Sequence, residues 1–595
     1  MTNATMTRQR ELLSGNEAIA RGAYEAGVTV ATGYPGTPST EILEAARAYG
    51  AEMYCEWSPN EKVALEVAAG AAVAGARAIV TMKHVGLNVA ADPLMTLAYI
   101  GVTGGLVVCV ADDPGMHSSQ NEQDSRNYAR FAKIPVLEPS DSQEAKDFVG
   151  LALELSEKYS TPVLLRTTTR VSHSSGLVTL GQRRSLPPRT GFVKNLERFV
   201  PVPMHARGMR VKLEERLARL SEEVCISQAN RIEWGDRSLG VIASGIAYQY
   251  VREVISGASI LKLGWSYPFP DALIRQFAQG VKELLVVEEL DPILEEHIRA
   301  LGIPVQGRAF VPGIGELSPE RVAAALDKRE GRAPKAPRAI PEAADLPARP
   351  PVLCPGCPHR GIFYALGKFD VIVTGDIGCY SLGAFPPLSR LDTILCMGAG
   401  VSMAHGMQKA GEPRKVVGIV GDSTFFHSGI TGLLDIAYNK GSSVIIVADN
   451  RITAMTGHQE HPGTGKTILG QETIAAKIED FGKACGLANV VSVDPYDVKQ
   501  TVATLRTALE SNEPWLVISR GPCPLYTRKA LGPARRIDEQ TCTQCKTCLK
   551  LGCPAIEMID DKIRINELLC GGCTLCERVC PKNAIQLASG VCSDA

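Results

Sequence analysis

A run of cysteines near the C-terminal end restricts what this chain can fold into more than any other feature. Cys542, Cys545 and Cys548 follow a C-x2-C-x2-C spacing, and Cys553-Pro554 comes after four further residues. Cys570, Cys573 and Cys576 repeat the spacing, with Cys580-Pro581 after three. Thiolates in this order are the ligand set of two [4Fe–4S] clusters, the fourth cysteine of each run reaching over to the other cluster. The expected sets are therefore Cys542, Cys545, Cys548 and Cys580 for one cluster, and Cys570, Cys573, Cys576 and Cys553 for the other. Zinc normally takes cysteine pairs on longer arms, and disulfides belong to oxidising compartments that nothing else here suggests. Two clusters imply one-electron traffic, so the remainder of the chain should contain a source or a sink of electrons.

That remainder is long. At 595 residues the chain has room for about three to five domains, each burying its own core. A net charge of −1 gives no electrostatic case for nucleic acid or a membrane surface as partner. The opening residues MTNATMTRQRELLSG contain no apolar stretch and are expected to be no signal peptide. The uncharged run from Leu94 to Ala111 could pass for a membrane span, but it reads better as two pieces. Asp92-Pro93 caps a helix through about Ile100, Thr103-Gly104-Gly105 turns, and LVVCVA is a buried strand. A soluble, cytoplasmic protein is expected.

Punctuation divides the chain into an α/β multidomain architecture. Residues 1–180 alternate short β-branched strands (Val28–Thr32, Ala78–Met82, Leu106–Ala111, Val163–Arg166) with Ala-rich helices, a doubly wound layout. A polar, Arg-rich connector covers 181–235. A smaller α/β domain over 236–330 has strands at Leu239–Ala243 and Glu283–Val287. A proline-rich linker over 331–351 precedes a second full α/β domain at 352–530. The basic segment RKALGPARR then leads into the cysteine domain at 531–595.

The second α/β domain holds the main chemical motif. The strand VVGIV delivers Gly421-Asp422-Ser423 at its carboxyl end, a helix follows near Ile430–Tyr438, and the strand SVIIVA delivers Asp449-Asn450. Adjacent parallel strands place such residues in the crevice where α/β proteins bind phosphates. Asp422, Asn450 and the Ile452 carbonyl could give Mg²⁺ three oxygens, with a diphosphate and water completing an octahedron. The alternative is an ordinary strand-end Asp and a turn Asn. The pattern resembles the thiamine-diphosphate signature, which makes Gly421, Asp422, Ser423, Asn450 and Ile452 candidate cofactor-binding residues. GTGKT (463–467) imitates a phosphate loop but has Glu460 where a glycine is required, so no nucleotide site is expected there.

A thiamine enzyme also needs a carboxylate for the cofactor's aminopyrimidine, and Glu61 in EWSPNEKVALEVAAGAAVAGA is the candidate. The competing reading takes Ser58-Pro59-Asn60-Glu61 as a helix capping box with Glu61 at N3; Glu56 and Glu66 are weaker contenders. This segment, the loop Tyr34-Pro35-Gly36-Thr37-Pro38-Ser39, and LCPGCPHRG (353–361), GDIGC (375–379) and DNRITAMTGHQ together resemble the 2-oxoacid:ferredoxin oxidoreductases, in particular their arylpyruvate branch. The resemblance spans almost the whole chain. It implies two thiamine-diphosphate-binding doubly wound domains with the cofactor between them, a smaller domain similar to the transketolase C-terminal one, and a C-terminal ferredoxin. It gives Thr37 a contact to the substrate carboxylate, although a proline-stiffened turn capping the next helix explains that loop as well.

The resemblance implies more. Related enzymes hold a further [4Fe–4S] cluster beside thiamine, and Cys354, Cys357, Cys379 and Cys523 match its ligand pattern; buried free thiols or a partial site are the alternatives. His359, next to that pair, is as readily a solvated or core histidine as a ligand. Cys55, Cys109, Cys225, Cys396, Cys485 and Cys592 have no evident partners and read as core or surface thiols. The implied reaction is oxidative decarboxylation of arylpyruvates, chiefly indole-3-pyruvate, with coenzyme A, electrons leaving to a soluble ferredoxin. A further small domain of the family is missing from this chain, so a separate smaller β subunit and an α2β2 hetero-oligomer are expected. Three other functions stay open: another 2-oxoacid specificity, a non-redox thiamine decarboxylase or carboligase, and an electron-carrier subunit whose α/β domains are scaffold.

Overall fold

The computed structural model describes residues 9–187, 191–333 and 351–588. Most of the proline-rich linker, Cys592 and the first eight residues read for a signal peptide lie outside the described residues. The chain divides into two compact units, residues 1–344 and 345–595.

In the N-terminal unit, strands β1 (Val30–Gly33), β2 (Tyr54–Trp57), β3 (Ala78–Lys83), β4 (Leu106–Asp112), β5 (Val136–Leu137) and β6 (Val163–Thr168) form a parallel sheet in the order β5-β6-β4-β3-β1-β2. β3, β4 and β6 are buried along their whole length. They read as continuous β-branched runs because helices cover both faces of a parallel sheet. The run from Leu94 to Ala111 divides as its glycines suggest. A helix ends at Ile100, Gly101 adopts φ +70°, and β4 starts at Leu106. Asp92 is the second residue of that helix rather than its cap.

The smaller α/β part has strands β7 (Asn230–Glu233), β8 (Asp236–Ser244), β9 (Ala258–Leu263), β10 (Trp265–Tyr267) and β11 (Glu283–Val287). Four of them pair in the order β11-β8-β9-β7, with β7 antiparallel. β10 leaves this sheet and adds itself antiparallel to β5, as the seventh strand of the first sheet. The connector is not featureless: Pro203–Glu223 is a helix whose Leu213 joins the same core as Val80, Val108, Leu261 and Phe277.

In the C-terminal unit, strands β12 (Val371–Gly375), β13 (Thr393–Ile394), β14 (Lys415–Gly421), β15 (Val444–Asp449), β16 (Asn489–Val493) and β17 (Trp515–Arg520) form a parallel sheet ordered β13-β12-β14-β15-β17-β16. The cysteine domain adds two antiparallel strand pairs, Arg535–Ile537 with Ile585–Leu587 and Ile556–Ile559 with Lys562–Ile565. Its interior is shared with its neighbour. Leu551, Ile556, Ile563, Leu575 and Ile585 cluster with Val498, and Tyr364, Tyr496 and Val502 pack against them. Among the described residues no helix is long and apolar enough to cross a membrane.

Candidate active site and iron–sulfur centres

In the N-terminal unit the predicted Thr37 and Glu61 follow the carboxyl ends of β1 and β2. Glu61 starts the helix Glu61–Val73, but not as part of a capping box. Asn60 is the N-cap and accepts the Val63 N–H at 2.9 Å, which puts Glu61 at N1. The Ser58 hydroxyl instead donates to Glu56 at 2.7 Å. Glu61 is only 5% exposed. A Cβ on Gly86 would stand 2.5 Å from its Oε1, so glycine there is what leaves room for the carboxylate. The competitors are placed otherwise: Glu66 is exposed and paired with Lys62, and Glu56 is held by Tyr54 and Ser58.

The loop after β1 turns through Tyr34–Ser39. Ser39 Oγ donates to the Gly36 carbonyl at 2.8 Å and the Gly36 N–H donates to Thr40 Oγ1 at 2.9 Å. Thr37 is half-buried, and its carbonyl accepts from Ser118 Oγ at 3.2 Å. Ser118 belongs to a loop organised by Asp113, which accepts the Ser118 N–H at 2.8 Å, Ser119 Oγ at 2.6 Å and Thr169 Oγ1 at 2.8 Å. Burial works to raise the Asp113 pKa, and these bonds hold it below the usual carboxylate range. Lys83, at the end of β3, was not anticipated. It is buried against Gly36 and donates to the Ser118 carbonyl at 2.9 Å. Burial brings its pKa down to about 8, with the charges of Asp113 and Glu61 opposing the shift.

In the C-terminal unit three neighbouring strands end on acidic or amide side chains: Asp376 after β12, Asp422 after β14, and Asp449 and Asn450 at the end of β15. Asp422 opens a helical stretch that passes through a π-turn at Phe425–Gly429 into the helix Ile430–Tyr438. Such bulges often occur at functional sites. Ser423 and Thr453 join the two strand-end loops by a 3.0 Å hydroxyl contact. Asn450 Oδ1 accepts the Ile452 N–H at 3.2 Å, and Ile452 is buried. Carboxylate, amide and carbonyl oxygens on these loops fit the all-oxygen shell that Mg²⁺ requires.

His461 sits on this site without having been foreseen. The Gly463 N–H donates to its Nδ1 at 3.1 Å, so a neutral ring carries its proton on Nε2 and donates it to Asp422 Oδ2, 3.1 Å away. Burial tends to raise the Asp422 pKa, but the His461 charge and hydrogen bond bring it below its ordinary value. GTGKT thus follows a histidine that touches Asp422. Asp449 is pushed up to about 6 by burial and by Asp422, although Arg520 bonds it at 2.6 Å. His359 is buried edge-on to Tyr380, and burial lowers its pKa to about 4, so it is a neutral core histidine at neutral pH. Asp376 is also buried; it accepts the Tyr380 hydroxyl and the Gly398 N–H, the latter at 2.7 Å.

Cys354, Cys357, Cys379 and Cys523 lie within electrostatic reach of one another, and Cys379 within that of Asp422. Burial raises the Cys354, Cys357 and Cys379 thiols, the latter two to about 12 and 11. Cys354 and Cys379 also feel the charge of Cys523, Cys357 feels Cys354 and Cys379, and Cys379 feels Asp422. In the cysteine domain one pocket is lined by Cys542, Cys545, Cys548 and Cys580. A second is lined by Cys553, Cys570, Cys573 and Cys576. Each fourth cysteine thus sits with the other run's triplet. Among the described residues no three His, Cys, Asp or Glu converge as ligands of a single ion. Thiols ringing a cavity fit a cubane cluster better than one zinc. Cys55 and Cys109 are buried, Cys225 and Cys485 half-buried and Cys396 exposed, all as free thiols.

Family models match three regions. Residues 21–207 match the pyruvate flavodoxin/ferredoxin oxidoreductase thiamine-diphosphate-binding domain, 376–519 the C-terminal domain of thiamine pyrophosphate enzymes, and 534–581 a 4Fe-4S dicluster domain. The chain is 46% identical to indolepyruvate oxidoreductase subunit IorA of Methanothermobacter marburgensis, over 97% of both chains. It is 42% identical to the subunit of that name in Archaeoglobus fulgidus, over 98% of both, and 43% identical to that of Thermococcus kodakarensis, over 97% of both.

Proposed function

Because the chain belongs to the family of indolepyruvate oxidoreductase IorA subunits, we propose that it catalyses the coenzyme-A-dependent oxidative decarboxylation of arylpyruvates, chiefly indole-3-pyruvate, to arylacetyl-CoA. Thiamine diphosphate, when bound, supplies a carbanion nucleophile and an electron sink for the bond broken on loss of CO₂. Glu61 holds the proton at the aminopyrimidine N1′ that selects the reactive tautomer. Gly421, Asp422, Ser423, Asn450 and the Ile452 carbonyl hold the diphosphate and its Mg²⁺. Thr37 orients the substrate carboxylate.

The observation that most favours a redox outcome is that Cys379, which feels the charges of Cys523 and Cys354, also feels that of Asp422. A decarboxylase that only protonates its product has no use for four thiols at that place. We assign those cysteines to a proximal [4Fe–4S] cluster, Cys542, Cys545, Cys548 and Cys580 to a second, and Cys570, Cys573, Cys576 and Cys553 to a third. The electrons go to a soluble ferredoxin, in the cytoplasm. The relatives are named as subunits, and a smaller β subunit, giving an α2β2 assembly, completes the enzyme here.

Anaerobic reduction of a viologen dye by the assembled enzyme tests this reading with indole-3-pyruvate, phenylpyruvate, pyruvate and 2-oxoglutarate, each with and without coenzyme A. Fastest coenzyme-A-dependent reduction with indole-3-pyruvate is expected. Aldehyde formation without dye reduction would instead identify a non-redox thiamine enzyme. About twelve iron atoms per chain accord with three clusters, and about eight would remove the proximal one.

A further inference from the structure

Arg360 follows the Cys354-Cys357 pair and is 2% exposed. A guanidinium so deeply buried is normally matched by a carboxylate. Here its bonds all go to backbone carbonyls. Nη1 donates to Leu551 at 2.9 Å and to Gly552 at 2.5 Å, Nη2 to Leu353 and to Cys354 at 3.3 Å, and Nε to Cys354 at 3.4 Å. The carbonyls come from two segments, one bearing Cys354 and the other running into Cys553. Among the described residues no acidic side chain pairs with Arg360. The ionisable groups whose charge reaches it most strongly are Cys553, Cys357, Cys573 and Cys354.

The two cysteine groups are neighbours at this point. Arg360 and Gly356 both line the cavity ringed by Cys553, Cys570, Cys573 and Cys576. Gly356 meets Gly571 backbone to backbone, a Cβ on the former falling 3.9 Å from the Cα of the latter. Tyr496 closes the same junction. Its hydroxyl donates to the Gly356 carbonyl at 2.7 Å, and it feels the charges of Cys573, Cys357 and Cys523. A cubane held by four thiolates is a net anion, so the unmatched cation lies between two anionic centres. The Cys542, Cys545, Cys548 and Cys580 cavity does not include it.

We propose that Arg360 is the charge-compensating cation shared by two iron–sulfur centres, one at Cys354, Cys357, Cys379 and Cys523 and one at Cys553, Cys570, Cys573 and Cys576, and that its field sets both midpoint potentials. Adding an electron to a centre beside a fixed positive charge is easier, so Arg360 raises both potentials. Net charge and hydrogen bonding around a cluster are among the levers that tune it. The proposal rests on the cluster assignments made above, and it makes Arg360 a positioning residue rather than a catalytic one.

The test is a redox titration followed by electron paramagnetic resonance on the anaerobically purified full chain with its partner subunit, with iron assayed in every sample. Wild-type enzyme is compared with Arg360→Gln and Arg360→Lys, and a Cys545→Ser companion identifies the remote centre's signal. Arg360→Gln is expected to move the two adjacent midpoints to more negative potential and leave the remote one in place. Arg360→Lys keeps the charge but loses the planar fork, and is expected to retain potentials near wild type. Unmoved midpoints in an iron-replete Arg360→Gln enzyme would overturn the proposal. If Arg360→Gln loses iron, Arg360→Lys decides: restored iron and potentials support charge compensation, and continued loss reduces Arg360 to a hydrogen-bonding strap. Wild-type iron near eight atoms per chain would overturn the proximal assignment and with it the sharing, and the Cys553 centre would then test the field of Arg360 on that centre.

Discussion

A glutamate at the first position of a helix can keep its carboxylate in water at little cost, yet Glu61 is buried against Gly86. Acid–base residues contribute about 10²–10⁴ in rate. Glu61→Gln should therefore lower dye reduction by that order, while cofactor binding, followed by circular dichroism of the bound thiamine, persists. A second carboxylate speaks to stability. Burial pushes Glu289 up to about 7; the Leu317 N–H, bonded at 3.0 Å, and Arg166 oppose this, and Glu316 adds to it. A folded-state pKa above the unfolded value favours folding at low pH, and that contribution disappears as pH rises through 7. Glu289→Gln should thus raise the melting temperature more at pH 8 than at pH 5, by a difference worth at most about 3 kcal/mol. Equal shifts at the two pH values would show that Glu289 titrates normally.

The elements that carry the site were legible where their pattern is local. Fully buried strands stand out as β-branched runs, and Asp422 and Asn450 follow the ends of β14 and β15. Four-cysteine spacings are equally local. What escaped reading depends on partners distant in the chain. Arg360 gains its meaning from carbonyls at Leu551 and Gly552, and His461 from Asp422. The capping box failed because Asn60, an equally good cap, lies directly before the helix and accepts the Val63 N–H, which moves Glu61 from N3 to N1. Gly86 in the short helix His84–Val89 was likewise unreadable, since only tertiary packing sets it against Glu61. Gly86→Ala should displace the Glu61 carboxylate and slow turnover by about 10²-fold, with little change in iron content. An unchanged kcat would place Glu61 outside the chemistry.

At the scale of the whole molecule, modules that look separable in sequence share interiors. The cysteine domain is packed on Tyr364, Tyr496, Val498 and Val502. Deleting residues from Arg535 onward should therefore expose apolar surface and give aggregates by size-exclusion chromatography, rather than a clean iron-poor enzyme. A monodisperse product would contradict the shared core. The N-terminal unit is joined more firmly still. Trp265–Tyr267 pairs with Val136–Leu137, and at the same seam Arg126 bonds both Asp124, at 2.6 Å, and Glu288, at 2.9 Å. A borrowed strand locked by a buried ionic clasp cannot serve as a hinge. The two sheets it ties together are thereby held as one body, and the freedom left to this unit is that of its loops, such as the turn from which Ser118 holds the Thr37 carbonyl.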